Sequence, residues 1–263
     1  MRTRINTRKI IEYAVILLFC ALFLTLEWYK PSLINDKFIN HMFLDSIQAG
    51  AGITLSVYVA KKLSIRLFMR PEGWVYLLPC LVVAVNNFQF SPFFKGEMTL
   101  VRTNIWEVVF FTVRVFALAT LEELIFRGIV FSVFLTLFSK DKKGFFLAFV
   151  LSSVVFGASH ILNGFSVAVL LQCGYSVLTG GLFCFCFIKT KNILLPSLVH
   201  GVFNFCGTLF DAKGLGAGVA FDTTTIVLTV VIGVLVGCFV LYKTWAYTDE
   251  ERASLYDRVG VLR

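Results

Sequence analysis

Three clusters of polar side chains stand inside otherwise apolar sequence. The first is Leu121-Glu122-Glu123-Leu124-Ile125-Phe126-Arg127-Gly128; the second ends in Phe156-Gly157-Ala158-Ser159-His160; the third is His200-Gly201-Val202-Phe203-Asn204. An ionised side chain at the centre of a membrane helix costs roughly 2.5–3.5 kcal/mol on insertion scales, so ionisable residues there are candidates for function. Glu123 and Arg127 are four apart and share a helix face, where they can pair. Glu122 lies about a hundred degrees further round and need not join that pair. The stretch thus divides into a braced carboxylate and one poised to take a proton. His160 follows Phe156 by four and His200 precedes Asn204 by four, so each histidine shares a face with its partner.

The chemistry open to such a set is hydrolysis. A carboxylate can accept a proton from water and a histidine can share it. A second histidine and an amide can stabilise a developing oxyanion in a dry site. Alternatively, Glu122, His160 and His200 could hold Zn2+ or another divalent metal that acidifies the water. The HExxH helix of zinc peptidases is absent, so a metal site would have to be assembled from three separate spans. Ser159 and Ser197 rank low as nucleophiles: Ser159 is adjacent to His160, which points it elsewhere on a helix. Glu107 and Arg114, seven apart, read as an interfacial pair or a snorkelling arginine. Asn86, Asn87, Gln89 and Gln172 read as packing hydrogen-bond partners ahead of a polar cavity, and His41 as a solvated loop residue.

EExxxR, FxxxH and HxxxN, complete and in this order, resemble the CPBP family, which contains the CAAX prenyl endopeptidases of the Ras-converting type and the bacterial Abi proteins. The resemblance covers about 106–209, the catalytic core, within a single integral membrane domain, 1–263. It implies an intramembrane endopeptidase with a cavity inside an eight-helix bundle. It further implies that Glu122 activates water with His160, that His200 and Asn204 stabilise the oxyanion, and that Glu123, Arg127 and Phe156 support the site. The family is described both as metalloprotease and as metal-free. The partners implied are a membrane-associated peptide or protein substrate and the lipid bilayer, and the location is the plasma membrane if the source is bacterial. A non-catalytic immunity or regulatory protein and a proton-coupled transporter are the competing readings; no inverted repeat supports the transporter.

The elements that must position these residues are membrane helices. Of 263 residues, 58% are hydrophobic and 15% charged, against about 25% charged in a soluble domain, and mean hydropathy is +0.83. The runs do not alternate as barrel strands would. The fold class is therefore all-α: a polytopic bundle of about eight transmembrane helices. Spans are expected near 10–26, 43–60, 74–90, 105–138, 144–162, 165–188, 193–210 and 223–242. The fourth is too long for one upright helix, so a break or tilt is expected near Gly128. Seventeen lysines and arginines fall on one side and five on the other, which places both termini in the cytoplasm. That distribution over short loops explains the net charge of +8 without nucleic acid. The seven cysteines, Cys20, Cys80, Cys173, Cys184, Cys186, Cys206 and Cys238, form no CxxC and read as packing residues. Gly233 and Gly237 have the spacing of a helix contact. One difficulty stands: His200 lies about 12 Å from its cytoplasmic loop and His160 about 24 Å from its own, at helical rise.

Overall fold

In the computed structural model the described residues are 14–16, 18, 31–33, 35, 37–100, 104–138, 140–212 and 222–258. The predicted span 10–26 and the basic residues before it lie almost wholly outside them. Ten helices follow: α1 Lys37–Lys62, α2 Leu77–Asn86, α3 Phe90–Phe94, α4 Ile105–Glu123, α5 Phe131–Leu137, α6 Lys142–Ser159, α7 Val167–Thr190, α8 Leu194–Thr208, α9 Thr223–Trp245 and α10 Asp249–Arg258. A π-helical segment, Leu124–Val130, joins α4 to α5, and a 3-10 turn, His160–Asn163, ends α6. Two three-residue strands, β1 Met98–Leu100 and β2 Phe210–Ala212, pair antiparallel, with Thr99 opposite Asp211.

Among the described residues four helices are long and apolar enough to cross a membrane: Asn40–Lys62, Lys142–Asn163, Val167–Thr190 and Thr223–Trp245. Helices of this length and apolarity make this an integral membrane protein. Trp74–Asn86 is apolar but shorter, and α8 has only 15 residues. His41 is a half-buried residue of α1, not a loop residue.

Polar side chains set the helix starts. Asn104 Oδ1 accepts from Trp106 N at 2.9 Å, Asp141 Oδ1 from Gly144 N at 2.7 Å, and Asp222 Oδ1 from Thr225 N at 2.9 Å. Each satisfies a donor that the first turn leaves open. Lys95, Ser91 and Thr225 also bond Asp222, which holds its carboxyl well below the usual range and ties α3 to the start of α9.

No break occurs at Gly128. The chain keeps helical geometry through Leu124–Val130 and widens there to the π form, a local device common at functional sites. All seven of these residues are buried. They form the centre of the core with Phe145, Phe149 and Phe156 of α6 and Phe183 to Ile188 of α7.

Two glycines admit close helix crossings. A Cβ on Gly157 would meet Val177 Cγ2 at 2.4 Å and Cys173 O at 2.6 Å, fixing α6 against α7; a Cβ on Gly201 would meet the Phe116 ring at 2.3 Å, fixing α8 against α4. Gly233 and Gly237 meet nothing within 4 Å, so their spacing serves no contact among the described residues.

The charged tail is a packed helix. Lys189 Nζ bonds Glu251 at 3.0 Å, and Phe145 stacks on Tyr247 at 5.1 Å, so the tail covers the start of α6. Burial over the Phe187 ring pushes Arg258 down to about 10.

Gly157→Ala must displace α7 backbone, an overpacking worth about 1–3 kcal/mol, so its thermal midpoint in detergent falls by several degrees. Gly174→Ala, which opens onto free space, leaves the midpoint unchanged or raises it slightly.

Candidate active site

Glu123 ends α4 and has no exposed surface. Its Oε1 accepts from Arg127 Nη1 at 2.9 Å and from His200 Nδ1 at 2.8 Å. Arg127 is 2% exposed and donates from Nη2 to Gly180 O at 3.1 Å. The π segment carries Arg127 back along the helix onto Glu123, so the i,i+4 pair survives the change of helix type. A second cation, if His200 is protonated, meets the same oxygen from α8.

Glu122 turns away from this pair. Its side chain is 24% exposed, and its Oε2 lies 3.6 Å from His200 Nε2, too long for a hydrogen bond but close enough for direct attraction. One carboxylate is thus enclosed and paired, while its neighbour faces a more open space.

Aromatic rings hold the rest. Phe156 presents its ring to three functional groups: His160 at 5.1 Å, His200 at 5.7 Å and the Arg127 guanidinium at 4.2 Å. Both imidazoles stand edge-on to it, at 85° and 89°. Phe183 of α7 lies nearly parallel on His200, with ring centres 4.5 Å apart and planes at 20°.

His160 begins the 3-10 turn, and its Nδ1 lies 3.0 Å from Phe156 O. A carbonyl only accepts, so Nδ1 carries the hydrogen and Nε2 is left with the lone pair when the ring is neutral. Both imidazoles meet the one Phe156 ring, so the different depths counted along the two helices do not keep them apart. Asn204 is half-buried one turn past His200, and among the described residues its amide makes no hydrogen bond.

Other expectations change. Arg114 pairs with Asp45 of α1 rather than with Glu107. Asp45 has no exposed surface; an apolar bundle favours a fully enclosed carboxylate partner over an interfacial one. Ser159 Oγ donates to Phe156 O at 2.7 Å and Ser197 Oγ to Ile193 O at 2.8 Å, so both hydroxyls are committed to backbone. Asn87 donates to Phe203 O and Asn163 to Gln172 Oε1, consistent with packing roles. Among the described residues no three His, Cys, Asp or Glu side chains converge to hold a metal ion.

Asp45, Gly180 and Phe183 were missed in the sequence. The signal for Asp45 was available, as a lone acid in one apolar run and a lone arginine in another. For Phe183, one of 29 phenylalanines, there was none.

The fold and the site define an integral membrane protein whose buried carboxylate, guanidinium and imidazole share one network. The family model described as Type II CAAX prenyl endopeptidase Rce1-like matches residues 104–206, so this segment is similar to that family. Every motif residue from Glu122 to Asn204 lies inside the match. Neither the curated proteins nor the solved structures contain a match.

Removing one partner from a buried ion pair costs about 3–5 kcal/mol. Arg127→Met therefore lowers the yield of folded protein sharply. Adding Glu123→Gln recovers part of the loss, and a double-mutant cycle from thermal midpoints shows favourable coupling of more than about 1 kcal/mol.

Proposed function

We propose that the chain is an intramembrane endopeptidase in which Glu122 activates water. The observation that carries this reading is the contrast between two adjacent carboxylates: Glu123 fully enclosed and neutralised, Glu122 partly exposed beside His200 Nε2. The first is a brace; the second is placed to exchange a proton.

In this reading Glu122 takes a proton from water as its oxygen attacks the carbonyl carbon of the scissile bond. His160, with its Nε2 lone pair, helps orient the water. The carbonyl oxygen becomes an oxyanion facing His200 and Asn204. His200 already donates from Nδ1 to Glu123, so it can donate to an oxyanion only from a protonated Nε2, as the imidazolium. Two carboxylates, Arg127 and imidazolium then balance to zero charge. The C–N bond breaks, and Glu122 returns its proton to the leaving amine. Water's oxygen ends in the new carboxylate, and its hydrogens divide between the two products.

The catalytic core is 106–209 within an eight-span bundle with both termini on the cytoplasmic side, in the plasma membrane if the source is bacterial. The substrate is a membrane-associated peptide or protein segment. The name of the matching family makes a prenylated peptide ending in CAAX the first probe, and an unmodified signal-like leader peptide the second.

Glu122→Ala and His160→Ala abolish cleavage while the protein still inserts and accumulates; Ser159→Ala keeps it. Membrane proteomics reads this out as peptides that accumulate in the Glu122→Ala strain and not in wild type. Full activity in either of the first two variants overturns the assignment. Activity unchanged after exhaustive chelation is the expected result; loss with restoration by Zn2+ would show a metal-assembled site instead.

A further inference from the structure

Three contacts constrain the His200 imidazole. Nδ1 is fixed by Glu123 at 2.8 Å, one edge meets Phe156 at 5.7 Å, and one face lies on Phe183 at 4.5 Å with only 20° between the planes. Its Nε2 faces Glu122. Phe183 is itself locked. It is 1% exposed, stands edge-on to Phe203 at 6.2 Å and to Phe156 at 6.3 Å, and lies under the Arg127 guanidinium at 5.3 Å. Two cationic positions therefore share one phenyl ring, since a π face attracts a guanidinium, or an imidazolium stacked on it.

The second torsion of histidine is soft, with broad preferences. The bond to Glu123 aims the ring, but a single hydrogen bond tolerates a range of angles and so permits rocking about that torsion. A flat surface against the ring face limits that rocking, and Phe183 lies nearly parallel to it.

We infer that Phe183 is a positioning residue, whose flat ring holds the His200 imidazole so that Nε2 stays aimed at the reacting groups beside Glu122. The inference rests on the peptidase reading for its kinetic consequence but not for its geometric one. Phe183 touches no reacting atom and acts through His200.

The test compares Phe183→Leu and Phe183→Met, which keep apolar bulk without the flat face, with 4-fluorophenylalanine incorporated at 183, which keeps it. Two readouts are taken on the full-length protein in detergent. In NMR spectra with 13C-labelled histidine, the His200 ring protons are shifted upfield by the Phe183 ring current in wild type and in the fluorinated protein. In both aliphatic variants they move back toward ordinary values. In cleavage of a farnesylated, internally quenched CAAX peptide, the aliphatic variants lose roughly ten- to a hundredfold in kcat with KM unchanged, the cost of misplacing a catalytic group by about 1 Å. The fluorinated protein retains wild-type kcat. Unshifted His200 signals in wild type, or kcat retained in the aliphatic variants, overturn the inference. If wild type cleaves no probe, the peptidase reading fails while the NMR signals still decide whether Phe183 positions His200.

Discussion

A carboxylate with no exposed surface inside an apolar bundle is the constraint from which the rest follows. Glu123 cannot keep its charge there without compensation, since an isolated buried ion is far too costly. Two donors supply it at a single oxygen: Arg127 from its own helix and His200 from α8. Each has its own requirements. Arg127 needs a second acceptor, which Gly180 O provides from α7, and aromatic faces, which Phe156 and Phe183 provide from α6 and α7. One carboxylate thereby fixes the relative positions of four helices.

Function depends on the neighbour of that carboxylate. Adjacent residues on a helix point about a hundred degrees apart. Once Glu123 is turned inward, Glu122 is turned toward the space where His200 Nε2 lies. In the proposed reading, the brace spends its charge on structure so that the base can spend its charge on water. The small residues nearby serve the same end, because the α8–α4 crossing at Gly201 and Phe116 brings His200 within reach of α4.

Much of the site was legible because charge is conspicuous in apolar sequence. Glu122, Glu123, Arg127, His160 and His200 stand out by type, and helical spacing puts Glu123 with Arg127. The four long apolar helices were legible in the same way. What was not legible arises from packing. Gly128 suggested a break, yet the helix passes through it in the π form, because every residue of that segment is buried and its backbone has to keep its bonds. Arg114 was matched to Glu107 by spacing along one helix, whereas its partner Asp45 comes from another; sequence distance cannot report contacts between helices. Phe183 is one phenylalanine among many, and only its position against His200 distinguishes it. The counted depths of His160 and His200 differ along their helices, yet both rings meet Phe156, because helix placement is set by packing that residue counts do not report.

The central claim is that water attacks directly, without a covalent intermediate on the protein. Intact-mass spectrometry of the enzyme during turnover in H2 18O, together with mass analysis of the peptide products, tests this most directly. The account predicts protein of unchanged mass at every time point, with the heavy oxygen in the new carboxylate. A protein species heavier by the mass of an acyl fragment, attached to a serine or cysteine, would contradict it.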